Sequence, residues 1–180
     1  MNIGPPEIHE KSEWLRMRRA LWPDADPQEL GDELDVWLAR EDAVVLVARR
    51  ENGTALCGFA EVGTRSVADG CDSSPVAYLE GWYVDEDMRG QGIGAALVRA
   101  AEEWAKAQGH VELASDAQLS NLASQRAHAA KPRWSWKPRL PPPWRDRPAT
   151  FWSSHLLRCR KERWSIDPGR PTPATTPGLL

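Results

Sequence analysis

The residues with the clearest chemical meaning lie in one run, Tyr78 to Ala95. An apolar stretch ends at Val84, a short polar turn follows, and Arg89-Gly90-Gln91-Gly92-Ile93-Gly94 opens an amphipathic helix. Glycines at a helix entrance let several backbone N–H groups converge, and the helix dipole adds positive potential at the same place. That combination binds phosphates. A dinucleotide-binding domain also uses a glycine loop. Its Gly-x-Gly-x-x-Gly spacing is absent here, and no acidic residue closes a following strand in the usual register. The plain alternative is a tight turn that starts a helix and binds nothing.

Other chemistries find little support. Cys57, Cys71 and Cys159 are odd in number, widely spaced and without a metal-like pairing, which reads as buried or free thiols in a reducing compartment; no metal is expected. The chain shows no leading basic-plus-apolar segment, and no apolar run approaches the roughly 20 residues that span a bilayer. A cytoplasmic protein with no membrane partner is the expectation. The length of 180 residues suits one domain with a real core. The net charge of −3 hides a split: residues 1–130 hold 12 Lys/Arg against 23 Asp/Glu, and residues 131–180 hold 11 against 3. The first part is therefore strongly acidic and the second strongly basic.

The elements that must position the glycine loop follow from periodicity and punctuation. Trp14, Leu15, Arg18, Leu21 and Trp22 recur at helical spacing within 12–22, and Pro23 ends that helix. Asp26-Pro27 starts a second, with a side-chain acceptor at the cap and proline in the first turn, and Leu30, Leu34, Trp37 and Leu38 form its apolar stripe. Residues 43–49 are a β-branched run, 51–54 a hairpin turn, 55–64 the returning strand, and 76–84 a third strand after a polar loop. A helix over about 92–108 buries Ile93, Leu97, Val98, Ala101 and Trp104 and ends at Gly109; a strand at 111–114 and a short helix from Ser120 through Ala130 follow. The order predicts an α+β layout with a mixed central sheet flanked by helices.

The Arg-x-x-Gly-x-Gly loop resembles the acetyl-CoA pyrophosphate loop of the GCN5-related N-acetyltransferases (GNAT). The resemblance sharpens to the aminoglycoside 6′-N-acetyltransferases at Leu21-Trp22-Pro23, Gly70-Cys71-Asp72-Ser73-Ser74-Pro75, Leu79-Glu80-Gly81, the Arg89–Gly94 loop, Ala114-Ser115-Asp116, Asn121 and Ser124-Gln125. It covers about residues 10–130 and implies the GNAT acyltransferase fold and acetyl-CoA as co-substrate. It also implies direct acetyl transfer to the 6′-amine of an aminoglycoside, conferring antibiotic resistance.

Carried over motif by motif, the loop Arg89, Gly90, Gln91, Gly92, Ile93, Gly94 and Ala95 takes the coenzyme A diphosphate. The backbone of Trp82, Tyr83 and Val84 pairs with pantetheine, the Val84 N–H polarises the thioester, and Asn121 contacts the cofactor from the opposite strand end. Glu80 and Asp116, at the ends of neighbouring strands, face the acceptor and bind its ammonium groups. Glu80 is the first candidate to receive the amine proton, directly or through water, and Asp116 the second; both can equally be read as solvated surface carboxylates. Trp22 lines the acceptor cleft or serves as a core aromatic, and Asp72, with Asp69, adds to the acidic field. An acidic cleft would draw in a polycation. No Cys or Ser stands beside a base in these motifs, which favours direct attack over a covalent intermediate. The chain departs from the family in the loop before Gly70, where Ser66-Val67-Ala68 stands in place of an aromatic or His position, and a different acceptor contact surface is expected there.

After Ala130 the resemblance stops. The family continues with a Leu-Gly-Phe turn and two strands that complete the sheet and often form a homodimer contact; here those strands are missing or replaced. Residues 131–180 hold ten of the 15 prolines and five of the 10 tryptophans, lack periodicity, and are expected to be a disordered basic tail. A reading-frame displacement near residue 131 is one reading of this composition: Trp134-Ser135-Trp136-Lys137-Pro138-Arg139, with assumed codons shifted by one base, would become Val-Val-Val-Glu-Thr-Glu, like the missing family strand. Weakened or absent activity is the expected consequence. The alternative is a non-catalytic protein whose Trp-interleaved tail binds nucleic acid or a protein partner, although no spaced recognition pattern supports nucleic-acid binding.

Overall fold

The computed structural model describes residues 2–51, 55–68, 70–118, 134–137 and 156–161. Strand β1 is Asn2–Gly4, and helices α1 (Lys11–Leu21) and α2 (Pro27–Ala39) follow. Strands β2 (Ala43–Arg49), β3 (Leu56–Arg65) and β4 (Val76–Val84) precede helix α3 (Ile93–Ala107) and strand β5 (Leu113–Gln118). Two short strands come last, β6 (Trp134–Lys137) and β7 (Leu156–Lys161). The sheet has the order β1-β2-β3-β4-β5-β7-β6. All neighbours are antiparallel except β4 and β5, so the sheet is mixed, as the element order predicts.

The local signals read from the sequence have physical counterparts. Asp26 caps α2, its Oδ1 accepting from the Gln28 N–H at 2.7 Å and the Glu29 N–H at 3.1 Å, with Pro27 at the first position. Helix α1 closes where the Trp22 N–H reaches the Arg18 carbonyl at 2.9 Å, just before Pro23. The sheet separates two cores. Helix α3 lays Leu97, Val98 and Ala101 on one face, against Leu46, Ala60, Val62, Ala77 and Leu79. Helices α1 and α2 lay Trp14, Met17 and Leu34 on the other, against Val45, Val47 and Phe59.

One element is added to the expected order, and two expectations are corrected. β1 was not legible, being only three residues long and held by pairing with β2. The strand expected at 111–114 runs instead from Leu113 to Gln118, because the end of α3 extends through a Gln108–Gly109 turn, with the His110 N–H bonded to the Ala105 carbonyl at 2.9 Å. Two short ladders occur where proline density argued against any: β6 and β7 occupy proline-free stretches, and β7 pairs along Ala114–Gln118 of β5. The expected helix from Ser120 through Ala130 lies outside the described residues, as do Asn52, Gly53 and Thr54 of the expected hairpin turn.

Candidate active site

The site is built around a bulge in β4. Glu61 of β3 pairs with Gly81 and Val62 with Leu79, so Glu80 is the extra residue. The bulge resets side-chain parity. Before it, Ala77 and Leu79 face α3; after it, Trp82 and Val84 do. Gly81 then faces α1, and its bare Cα accepts the Trp22 ring.

β4 and β5 pair only through Ala77↔Leu113, Tyr78↔Ala114 and Leu79↔Ser115. Glu80 and Asp116 are the next residues on each strand. They stand within the strands, where the strands part, rather than at their ends. Beyond this point β4 keeps its β3 ladder to Val84, while β5 continues along β7 to Gln118. The β5-facing side of Trp82, Tyr83 and Val84 is thus a backbone edge with no β5 ladder on it. The Trp82 ring itself packs on Gly94, where an added Cβ would lie 2.9 Å from its Cζ2.

The glycine loop leaves this edge. Gly90 and Gly92 have φ of 79° and 83°, the left-handed region, and Gly92 caps α3 without any side-chain hydrogen bond. No acidic side chain occupies the first turn of α3. The first amides of a helix have no intrahelical acceptor, so this entrance suits an anion. Arg89 folds back, its Nε donating to the Val84 carbonyl at 3.0 Å, and Gln91 Nε2 donates to the Asp87 carbonyl at 3.1 Å. The approach to the loop is pinned by Asp85, which sequence reading did not single out. Arg16 donates to both its oxygens at 2.9 and 3.0 Å, and Arg50 bridges it to Asp87.

On the α1–α2 face lies a cleft of about 330 Å³, lined by Arg18, Trp22, Glu33, Val36, Trp37, Arg40, Glu61 and Glu80. Of the residues expected to meet an acceptor, Glu80 and Trp22 belong to it. Asp116 and Asp72 do not line it; Asp72 is exposed in the loop before β4, and Asp69 lies outside the described residues. That loop is anchored by Glu112, fully buried, whose Oε2 accepts from the Asp72 N–H at 3.0 Å, the Ser73 N–H at 2.7 Å and the Ser73 hydroxyl at 2.6 Å. Val67, in the Ser66-Val67-Ala68 stretch of the same loop, is 71% exposed.

The cleft is less negative than the acidic composition suggests, because its carboxylates are paired. Glu33 accepts from Arg18 Nη2 at 2.6 Å, and Glu61 Oε1 lies 3.0 Å from Arg18 Nε. Both oxygens of Glu80 accept from Arg65, Oε1 from Nε at 2.7 Å and Oε2 from Nη2. Glu61 is buried and also accepts from Trp14 Nε1 at 2.9 Å, while its Oε2 has no hydrogen-bond partner among the described residues. Burial pushes its carboxyl up to about 7, against the opposing pull of Arg18 and of the Trp14 indole. Arg18 stacks 5.1 Å from the Trp22 ring centroid and fixes that wall of the cleft. Sequence patterning could not reveal Glu61, Arg18 or Arg65 as site residues, because their partners lie on other elements. Asn121 lies outside the described residues. Among the described residues no His/Cys/Asp/Glu group could hold a metal ion, and no helix is long and apolar enough to cross a membrane.

This geometry has close counterparts. The acetyltransferase (GNAT) family profile matches residues 11–131. An aminoglycoside N(6′)-acetyltransferase type 1 from Klebsiella aerogenes is 47% identical over 131 residues, spanning 71% of this chain and 86% of that protein. The apo crystal structure of the aminoglycoside 6′-N-acetyltransferase AAC(6′)-IG from Acinetobacter haemolyticus superposes with a TM-score of 0.67 at 34% identity, covering 72% of this chain and 88% of that one. AAC(6′)-Iy in complex with the bisubstrate analogue CoA-S-monomethyl-acetylneamine gives a TM-score of 0.67 at 29% identity, covering 72% and 87%. With the glycine-entered helix, the bulged β4 and the parting of β4 from β5 all in place, the chain belongs to the acetyltransferase (GNAT) family, among the aminoglycoside 6′-N-acetyltransferases.

Proposed function

We propose that this chain transfers the acetyl group of acetyl-CoA to the 6′-amino group of an aminoglycoside, in the cytoplasm, by direct attack in a ternary complex. The observation that carries this reading is the adjacency of three features: an uncapped helix entrance with two left-handed glycines, an edge of β4 free of β5 from Glu80 onward, and a carboxylate-lined cleft reached from the same bulge.

In this reading Gly90, Gln91, Gly92, Ile93, Gly94 and Ala95 present backbone N–H groups to the diphosphate, with Arg89 adding charge beside them. The main chain of Trp82, Tyr83 and Val84 aligns pantetheine, and the Val84 N–H stabilises the developing oxyanion. Asn121 is assigned a cofactor contact. Glu80 holds the acceptor amine beside the thioester and takes its proton, directly or through water, while Asp116 and Asp72 hold further ammonium groups and Trp22 covers a sugar face. Nitrogen then bonds to the carbonyl carbon, the carbon–sulfur bond breaks, and the coenzyme leaves as the thiol.

Residues 1–130 are the catalytic unit in this proposal, and 131–180 a tail produced by a frame displacement, supported by the charge reversal at the junction and by a family match that ends at residue 131. A homodimer like that expected of the family would need a contact other than the replaced strands. The decisive experiment is acetyl-CoA-dependent release of free thiol in the presence of kanamycin, on this chain and on a frame-restored version. Release is expected from both, slower in the first. Glu80→Gln and Asp116→Asn should each lower kcat/KM, Glu80→Gln by about 10²-fold or more. Absence of thiol release from the restored chain would end this reading.

A further inference from the structure

The proposed function gives Glu80 the acceptor amine, yet in this structure Glu80 already carries a cation. Arg65 ends β3 and reaches across the sheet face to Glu80, with Nε donating to Oε1 and Nη2 to Oε2, so both carboxylate oxygens are taken by one planar fork. Its guanidinium lies 3.5 Å from the Tyr78 ring centroid, which gives it a second seat independent of Glu80. The charge of Asp116, the residue beside Glu80 where β4 and β5 part, also acts on it.

We propose that Arg65 is an intramolecular competitor for the ammonium subsite at Glu80, and that an acceptor binds there by displacing the guanidinium. The inference rests on the reading of Glu80 as the amine subsite. Exposure distinguishes Arg65 from the other arginine that pairs with cleft carboxylates. The Arg18 side chain is 3% exposed and tied to Glu61, Glu33 and the Leu30 carbonyl, so it is structural. The Arg65 side chain is 43% exposed, so water can solvate the guanidinium when it leaves Glu80. An incoming ammonium replaces one positive charge on Glu80 with another, whereas a neutral group leaves the lost ion pair uncompensated. Arg65 thus sets an electrostatic threshold that selects cationic acceptors, and it keeps Glu80 occupied until one arrives.

Calorimetric titration of the full chain with kanamycin, in the presence of coenzyme A, tests this. Removing the competitor in Arg65→Gln should lower the Kd for kanamycin about two- to fivefold, the range expected for a partly exposed ion pair. Arg65→Lys, which keeps the charge without the two-bond fork, should fall between. Arg99→Gln removes the same charge from the exposed side of α3, on the other face of the sheet, and should change the Kd by less than Arg65→Gln. Unchanged or weaker binding by Arg65→Gln overturns the inference while leaving the acceptor reading intact, and so does equal tightening by Arg99→Gln. Failure of every variant and of the unaltered chain to bind kanamycin overturns the acceptor reading and this inference with it.

Discussion

The ring of Trp22 rests on the bare Cα of Gly81, close enough that a Cβ built there would lie 2.8 Å from Trp22 Cη2 and 3.2 Å from Phe59 Cε2. The buried Arg18 guanidinium lies 5.1 Å from the centroid of the same indole, so the cleft wall is held by both a strand and a buried cation. Gly81→Ala should therefore overpack the wall and lower stability by about 1–3 kcal/mol, with a matching loss of kanamycin affinity. Urea unfolding with an unchanged midpoint would show that Trp22 is free to move aside.

Glu61 makes stability depend on pH. Its folded pKa of about 7 stands above the ordinary 4.5, so the folded protein keeps a proton that the unfolded chain gives up over roughly pH 4.5 to 7. Its contribution to stability is full below pH 4.5, declines as pH rises through that window, and is lost above pH 7. Glu61→Gln, which removes the titration, should flatten this slope and make the protein at least as stable as the unaltered chain at pH 8. Urea midpoints at pH 5 and pH 8 measure the difference, and an equally steep decline in the variant would contradict the assignment.

Glu112 orders the loop that carries Asp72. One of its oxygens receives three donors from Asp72 and Ser73, and the carboxylate is wholly buried. Glu112→Gln should cost about 1–2 kcal/mol, because three part-buried donors exchange a charged acceptor for a neutral amide oxygen. In the thiol-release assay the KM for kanamycin should rise more than the KM for acetyl-CoA, since the glycine loop lies elsewhere. Equal rises in both would mean that Glu112 only supports the fold.

Gly92 has a left-handed φ of 83° and nothing within 4 Å of the place a Cβ would occupy. The effect of Gly92→Ala is then conformational rather than steric, about 1–2 kcal/mol. If the left-handed turn aims amides at the diphosphate, the KM for acetyl-CoA should rise about 5- to 30-fold with the KM for kanamycin little altered. An unchanged KM for acetyl-CoA would remove the loop from cofactor binding.

Most of the frame was legible because its signals are local. Asp26-Pro27 declares a helix start through one side-chain acceptor and one fixed φ, and the β-branched run at 43–49 and the apolar run at 76–84 coincide with β2 and β4. Where neighbours decide, the reading fell short. β1 is a strand only because β2 offers an edge, and β5 starts two residues later than expected because the turn after α3 is closed by a bond back to Ala105. The short ladder of β7 depends on the edge that β5 offers and that of β6 on β7, and both lie in stretches free of proline.

By itself the sequence determined the family and the glycine motif at the helix entrance, since each is carried by contiguous residues whose chemistry does not depend on distant partners, and it nominated Glu80 and Asp116 as candidates. Only the tertiary structure decided that Glu80 is the bulged residue of β4, that Arg65 holds both its oxygens, and that Glu61 and Arg18 lie buried together beneath Trp22. The physical reason is that charge pairing and burial are properties of space rather than of order along the chain. Arg65 and Glu80 are 15 residues apart in sequence, and one guanidinium fork apart in the fold.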